Sequence, residues 1–298
     1  MEYIIGVDGG GTKTESVAYD LNGKVLYTSL TGFGNVLNNK EEALNNIKTG
    51  IKNIFEKLGK ENVKGIYLGL AGSEVGDNTK VIHDAIKDEF EIENVVMNDG
   101  ELALKATLKG EDGILTIAGT GSIAFGIKED RQAKAGGWGH LLGDEGSAYK
   151  IAIEALKNMI HENDFSLPLS DLSKALLKEL NVKEVDDIVA FVYSKTKDEV
   201  ASITKVVSSF AENGNEIALK IMQKEGLELA KTTENVYKKL NFDKCSIGLV
   251  GGVIKKSKVV RETFETYLKE HINVVEFVDE DVSPAKGAYY IYKKTVVK

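Results

Sequence analysis

Near the start of the chain, Tyr3 to Asp20 (YIIGVDGGGTKTESVAYD) places a Gly/Thr/Lys turn between two apolar runs that both read as strands. Tyr3, Ile4, Ile5 and Val7 form the first run. Ser16 to Tyr19 resume a half-buried pattern directly after Thr14, which leaves no room for a helix. The predicted geometry is a hairpin. Two familiar phosphate loops are excluded by spacing: Gly6 and Gly11 stand as in GxxxxGK[ST], but Thr12 intervenes before Lys13, and Thr14 occupies the last glycine of GxGxxG. What fits is a phosphate-binding hairpin. In it Gly9, Gly10 and Gly11 can adopt φ > 0 and bring bare N–H groups to an anion, Thr12 and Thr14 add hydroxyl donors, and Lys13 adds charge. Asp8, at the strand end, would repel a phosphate unless a cation lay between them, and magnesium held through water is the natural candidate. The competing reading is a glycine-rich turn with no ligand.

A chain of 298 residues exceeds the usual single core, so two domains with a cleft between them are expected. A net charge of −8 argues against a nucleic-acid surface, and only Arg131 and Arg261 offer bidentate phosphate contacts. No basic segment precedes the first apolar run, and no apolar stretch approaches the roughly 18 residues that span a bilayer, so the expected location is cytoplasmic with no membrane partner. Cys245 is the sole cysteine, which excludes internal disulfides and any multi-cysteine metal site within one chain.

The motif then repeats. After the hairpin, the Asn22-Gly23 turn leads to a third strand from Val25 to Leu30, and helices and strands alternate to Leu108. Gly113 to Ala118 is again an apolar strand, Gly119-Thr120-Gly121-Ser122 a Gly/hydroxyl turn, Ile123 to Ile127 a strand, and Glu129 to Gln132 a polar turn. Duplicated α/β halves follow from this. From Gly143 the chain reads as mostly helical, including helices at Leu169 to Leu180, Val185 to Tyr193 and Val200 to Phe210. Ser246 to Val250 returns as a strand, followed by the glycine pair Gly251-Gly252, and Pro284 opens a terminal helix. The predicted division is 1–110 and 111–298, with a hinge near Lys109 to Asp112, a helical insertion at about 150–240, and a terminal helix able to return to the first domain.

Three glycine turns, DGGGTKT, AGTGS and VGGV, each follow an apolar strand, and with them the chain resembles the actin-like ATPase superfamily of sugar kinases, heat-shock proteins and actin. The string GGWGHLLGDEGSAY, Gly136 to Tyr149, is similar to the signature of its N-acetylglucosamine kinase branch within the BadF/BadG-type ATPases. The resemblance covers essentially the whole chain. It implies two duplicated ribonuclease-H-like domains with mixed sheets, Mg-ATP between them, a homodimer, and phosphorylation of the 6-hydroxyl of N-acetylglucosamine or N-acetylmuramic acid in cell-wall sugar recycling. Residue by residue, it implies ATP contacts at Gly10, Gly11, Thr12, Lys13, Thr14, Gly119, Thr120, Gly121, Ala201, Gly251 and Gly252. Sugar contacts fall on Asn35, Gly137, Trp138 and Asp144, and the catalytic carboxylate on Asp99 in MNDGELA.

Elementary chemistry agrees with these positions. Trp138, between glycines, suits the apolar face of a sugar ring, and Asp144 at a predicted N-cap could accept from sugar hydroxyls; a core tryptophan and a capping aspartate are the plain alternative. Asp99 follows a strand end, where it serves either as a base for the acceptor hydroxyl or as a helix cap. His140 reads as a packing or hydrogen-bonding residue. The chain departs from the animal kinases before Asn35, where Gly34 replaces a hydroxyl residue, and the expectation is that Gly34 leaves room for a bulkier substituent such as a lactyl ether. A glucosamine kinase is the nearest alternative. The iron–sulfur activator ATPases of the superfamily need cluster cysteines, for which Cys245 alone does not suffice.

Overall fold

The computed structural model describes residues 1–296. The opening run forms β1 (Tyr3–Gly9), followed by β2 (Thr14–Asp20), β3 (Val25–Thr31), α1 (Lys40–Leu58), β4 (Val63–Leu70), α2 (Asn78–Phe90), β5 (Asn94–Met97) and α3 (Asp99–Thr107). The strands make one five-stranded sheet in the order β3-β2-β1-β4-β5. β1 to β3 pair antiparallel as a meander, whereas β4 and β5 join parallel to β1. Parallel strands need crossovers, and α1 and α2 supply them. Both lay apolar faces on the sheet, with Ile47, Ile51, Ile54, Ile82 and Ile86 buried against Tyr3, Ile5, Val7, Ile66 and Leu68.

The second half repeats this plan: β6 (Gly113–Ala118), β7 (Ser122–Lys128) and β8 (Arg131–Gly136) lead to a helical run, α4 (Ala148–Asp164), α5 (Asp171–Glu179), α6 (Asp187–Ser194), α7 (Lys197–Ala201), α8 (Thr204–Glu212) and α9 (Glu216–Lys239). β9 (Cys245–Val250), α10 (Gly252–Lys256), α11 (Lys258–His271) and β10 (Val274–Val278) follow, and the second sheet runs β10-β9-β6-β7-β8. Read from its other edge, this is the order of the first sheet. The duplication is therefore more complete than the sequence suggested, because Arg131 and Gln132 begin an edge strand instead of lying in a turn; Arg131 pairs with Lys128 and Gly136 with Ile123. The helix expected from Val200 to Phe210 is two helices, broken at Ser202 and Ile203.

The chain divides into two compact units, Met1–Leu115 with Glu280–Lys298, and Thr116–Asp279. The division thus falls inside β6 instead of at 110/111, and the terminal helix α12 (Gly287–Val296) counts with the first unit. There Ala285, Ala288 and Tyr289 pack with Ile4, Tyr19, Met97 and Leu102 on the face of the sheet opposite α1. The chain passes so close to β1 that a methyl on Gly6 would overlap the Ala285 carbonyl oxygen. Gly6 thus serves close backbone packing and not a phosphate loop. Gly6→Ala is expected to destabilise the fold by about 2 kcal/mol or more, whereas Gly10→Ala, with nothing within 4 Å of the added methyl, changes unfolding free energy by under about 1 kcal/mol. Urea unfolding of both variants checks the contrast.

Candidate active site

In the first unit the carboxyl ends of the parallel strands gather the expected acidic and turn residues, the position where open α/β sheets bind ligands. Asp8 lies at the end of β1, and the hairpin turn is closed by the Gly10 amide donating to the Lys13 carbonyl at 3.1 Å. Gly9, Gly10 and Gly11 do not use the left-handed region that is open to them. Their value is space. A methyl at Gly9 would meet Leu70 Cδ2 at 2.5 Å, while around Gly10 and Gly11 nothing lies within 4 Å, so the backbone is open to an approaching ligand. Gly11, Thr12 and Lys13 are exposed. Thr14 is not: it is fully buried and its Oγ1 has no hydrogen-bond partner, so its role as an exposed donor is not what the fold provides.

The Gly10 carbonyl oxygen also accepts from the amides of Gly34, at 2.9 Å, and Asn35, at 3.0 Å, which ties the loop after β3 to the hairpin turn. Asn35 Oδ1 accepts from the Leu37 amide at 2.9 Å, and this fixes the side chain. Gly34 does not open space for a substrate. A methyl there would stand 2.6 Å from Thr14 Oγ1 and 2.8 Å from Gly9 Cα, so the glycine is required by the approach of two backbones, and the lactyl-room expectation is corrected.

Asp99 is the first residue of α3 and is not its cap; Asn98 caps, its side chain accepting from the Gly100 amide at 2.8 Å. The Asp99 carboxylate also accepts from Gly100, at 2.9 Å, yet burial, with Glu74 nearby, leaves its pKa above the ordinary value. Asp8 is shifted further. Burial first, then Asp99 and Glu15, push its carboxyl up to about 7, with Lys13 opposing. Two carboxylates thus lie close enough to repel each other beside an open phosphate-type turn, an uncompensated negative site suited to a hydrated divalent cation. Among the described residues no group of three or more His, Cys, Asp or Glu side chains is placed to hold a metal ion.

In the second unit the glycine turns pack on one another. Gly251 has φ 105°, and a methyl on it would overlap the Ala118 carbonyl and stand 3.0 Å from the Gly119 amide nitrogen. The Gly119 carbonyl accepts from Ala148 at 2.8 Å, that of Thr120 from Tyr149 at 3.4 Å, and Ser122 Oγ donates to the Glu145 carbonyl at 2.6 Å. One cavity of about 390 Å³ brings Ala201 together with Gly119, Thr120, Gly252, Val253 and Ser257. Ala201 ends α7 instead of opening a helix. A second cavity of about 390 Å³ joins Gly119, Gly121, Gly137, Gly139 and Asp144 to Lys197.

Asp144 is not the helix cap, a role that belongs to Ser147, whose side chain accepts from the Lys150 amide at 3.2 Å. It is 3 % exposed, holds φ 65°, and accepts from Lys197 Nζ at 2.7 Å, a partner the sequence reading missed. Glu225 on α9, also missed, accepts from the Gly146 amide at 2.7 Å and so fixes the same loop from below. Trp138, by contrast, is 70 % exposed, beside exposed Leu141 and Leu142, and is no core tryptophan. His140 packs edge-on against Tyr149, 4.8 Å between ring centres.

The BadF/BadG/BcrA/BcrD ATPase family model matches residues 5–291. The chain belongs to this family. Family membership carries ATP use with it, and the two sheets match the actin-like ATPase fold of its sugar-kinase relatives. A relative from Clostridium acetobutylicum, an N-acetylmuramic acid/N-acetylglucosamine kinase, is 32 % identical over 98 % of both chains. An N-acetyl-D-glucosamine kinase from Dictyostelium discoideum is 29 % identical over 96 % of both. Among solved structures, a Chromobacterium violaceum protein proposed to be an N-acetylglucosamine kinase superposes with a TM-score of 0.71 at 22 % identity, covering 98 % of this chain and 99 % of that one. A Streptomyces griseus ROK family glucokinase in complex with glucose and AMPPNP gives 0.59 at 17 %, covering 98 % of each.

The Asp8 shift has a signed consequence for this family member. A carboxyl raised to about 7 in the fold from 3.8 binds its proton more tightly when folded, so it lowers stability progressively as pH rises between those values, and fully above 7. Asp8→Asn is therefore expected to raise unfolding free energy at pH 8 by roughly 1–3 kcal/mol and to leave it nearly unchanged at pH 4. Chemical denaturation across that range measures it; a gain independent of pH would contradict the assignment.

Proposed function

We propose that the protein is an ATP-dependent amino-sugar kinase that transfers the γ-phosphoryl group to the 6-hydroxyl of N-acetylglucosamine and N-acetylmuramic acid. The observation that carries the reading is the shared Gly10 carbonyl, which joins the exposed phosphate-type turn to the Asn35 loop in the unit that also holds Asp99 beyond the carboxyl end of β5. A phosphate site, a sugar-reading amide and a base are what such a transfer requires.

In this reading Gly10 to Lys13 and Gly119 to Gly121 hold the triphosphate, and Ala201 and Gly252 flank the adenosine in their cavity. The amide of Asn35, the Gly137 backbone, the Trp138 ring face and Asp144 bind the sugar. Asp99 accepts the proton of the 6-hydroxyl as that oxygen bonds to the γ-phosphorus. The bond from phosphorus to the β–γ bridging oxygen breaks, and ADP leaves. Burial raises Asp99 toward the working pH, which makes it a stronger base than a surface carboxylate. Magnesium would be held through water by Asp8, and its chemistry is neutralisation of the phosphates. Lys13 holds phosphate charge, and closure of the exposed Trp138 loop over the sugar would exclude water.

The alternative activator activity of this family is weakened by Cys245. It is the sole cysteine, buried, and its thiol is pushed up to about 12, far from the thiolate a cluster needs. No helix among the described residues is long and apolar enough to cross a membrane, and we propose a cytoplasmic homodimer.

ADP release measured with N-acetylglucosamine, N-acetylmuramic acid, glucosamine, N-acetylmannosamine and glucose tests the reading, with the first two expected to give the highest kcat/KM. Turnover indifferent to every sugar would refute it. Asp99→Asn should lower kcat by about 10²–10⁴ while sparing ATP binding. Because Trp138 is the sole tryptophan, N-acetylglucosamine should change intrinsic fluorescence on its own and adenosine should not.

A further inference from the structure

Lys197 stands outside every role assigned above. It is the first residue of α7, a helix fixed by a capping box in which Thr196 accepts from the Glu199 amide and Glu199 from that of Thr196. Its ammonium donates to Asp144 Oδ2 at 2.7 Å and lines the cavity formed with Gly119, Thr120 and Gly121. A methyl at Gly121 would lie 2.7 Å from that ammonium and 2.8 Å from Asp144 Oδ2. The glycine turn, the carboxylate and the ammonium thus share one small space.

A phosphate entering that space meets a problem, since Asp144 is buried and negative beside the turn. Lys197 resolves it. An ammonium has three N–H donors, of which Asp144 takes one. Asp144 holds the ammonium in place, in a left-handed conformation rare for a non-glycine residue and typical of functional positions. The lysine side chain retains about a third of its exposure, so a ligand can reach it.

We infer that Lys197 is a phosphate-contacting residue: held by Asp144 over Gly121, it donates to the terminal phosphate of ATP and cancels the charge of the aspartate beneath. This rests on the kinase reading, because it takes ATP to be the ligand of the Gly119 to Gly121 turn. The anion could instead be the lactyl carboxylate of N-acetylmuramic acid, and the position over the glycine turn favours the phosphate.

Calorimetric titration of the full chain, without sugar, with adenosine, ADP and ATP separates the possibilities. Lys197→Met is expected to weaken ATP about 10- to 100-fold and adenosine and ADP by less than about 3-fold, with Lys197→Arg close to wild type. In the background Asp144→Asn, Lys197→Met should cost less, because no unpaired carboxylate then faces the phosphate. Equal losses for adenosine and ATP, or no loss of ATP, as a lysine reserved for the lactyl carboxylate would show, would each overturn the inference. Thermal melts identify a misfolded Met variant, in which case Lys197→Gln carries the same comparison. Failure of the wild-type protein to bind ATP would sink the kinase reading itself, whereas wild-type binding with an unaffected Lys197→Met variant sinks only this assignment.

Discussion

One carbonyl oxygen, that of Gly10, accepts two successive amides from the loop carrying Gly34 and Asn35, and the geometry of the first unit hangs on that shared acceptor. It forms only because two backbones meet without side chains between them: a methyl at Gly34 would meet Thr14 and Gly9, and one at Gly9 would meet Leu70. The consequence is mechanical. The Asn35 loop cannot move without moving the Gly10 turn, and under the proposed function this would align the two substrates through covalent neighbours and one hydrogen-bonded node. The second unit solves the same problem with different contacts, packing Gly251 on the Ala118 carbonyl and stitching the turn at Gly119 to the start of α4.

Charge is the second constraint. Asp8 and Asp99 are held half-buried at the carboxyl ends of β1 and β5, and burial first, with the repulsion of Asp99 and Glu15 added, raises the proton affinity of Asp8 enough to make it sensitive near neutral pH. Such an arrangement costs stability, and proteins keep costs of this kind where a cation or proton transfer uses them. The Asp144–Lys197 pair in the other unit is the opposite case, a buried carboxylate already provided with its counter-charge.

Much of this was legible in the sequence because it is local. Strand, glycine turn and strand are consecutive, so the hairpin and its repeat are read directly, and Asp99 stands only one residue beyond the end of β5. What was missed depends on distant contacts or on weak patterning. β8 has only Ala133 and Ala135 as apolar residues, at a half-exposed edge, so no hydrophobic alternation marks it. The tight packing at Gly9 and the role of Gly34 depend on Leu70, on Thr14 and on the loop after the third strand, which no local reading supplies. Lys197 lies 53 residues from Asp144 and ahead of the helix expected to begin at Val200, so no local pattern says what the lysine faces. The cap of α4 was misplaced because Asp144 and Ser147 are both good caps and the left-handed turn between them decides which is used.

The proposed function stands or falls on ATP binding by the glycine turn that each half carries. Amide hydrogen exchange with and without a non-hydrolysable ATP analogue tests it most directly. Slowed exchange is expected at Gly10 to Lys13 and at Gly119 to Gly121 together, appearing at the same analogue concentration. Protection confined to one turn, or arising at separate concentrations for the two, would contradict it.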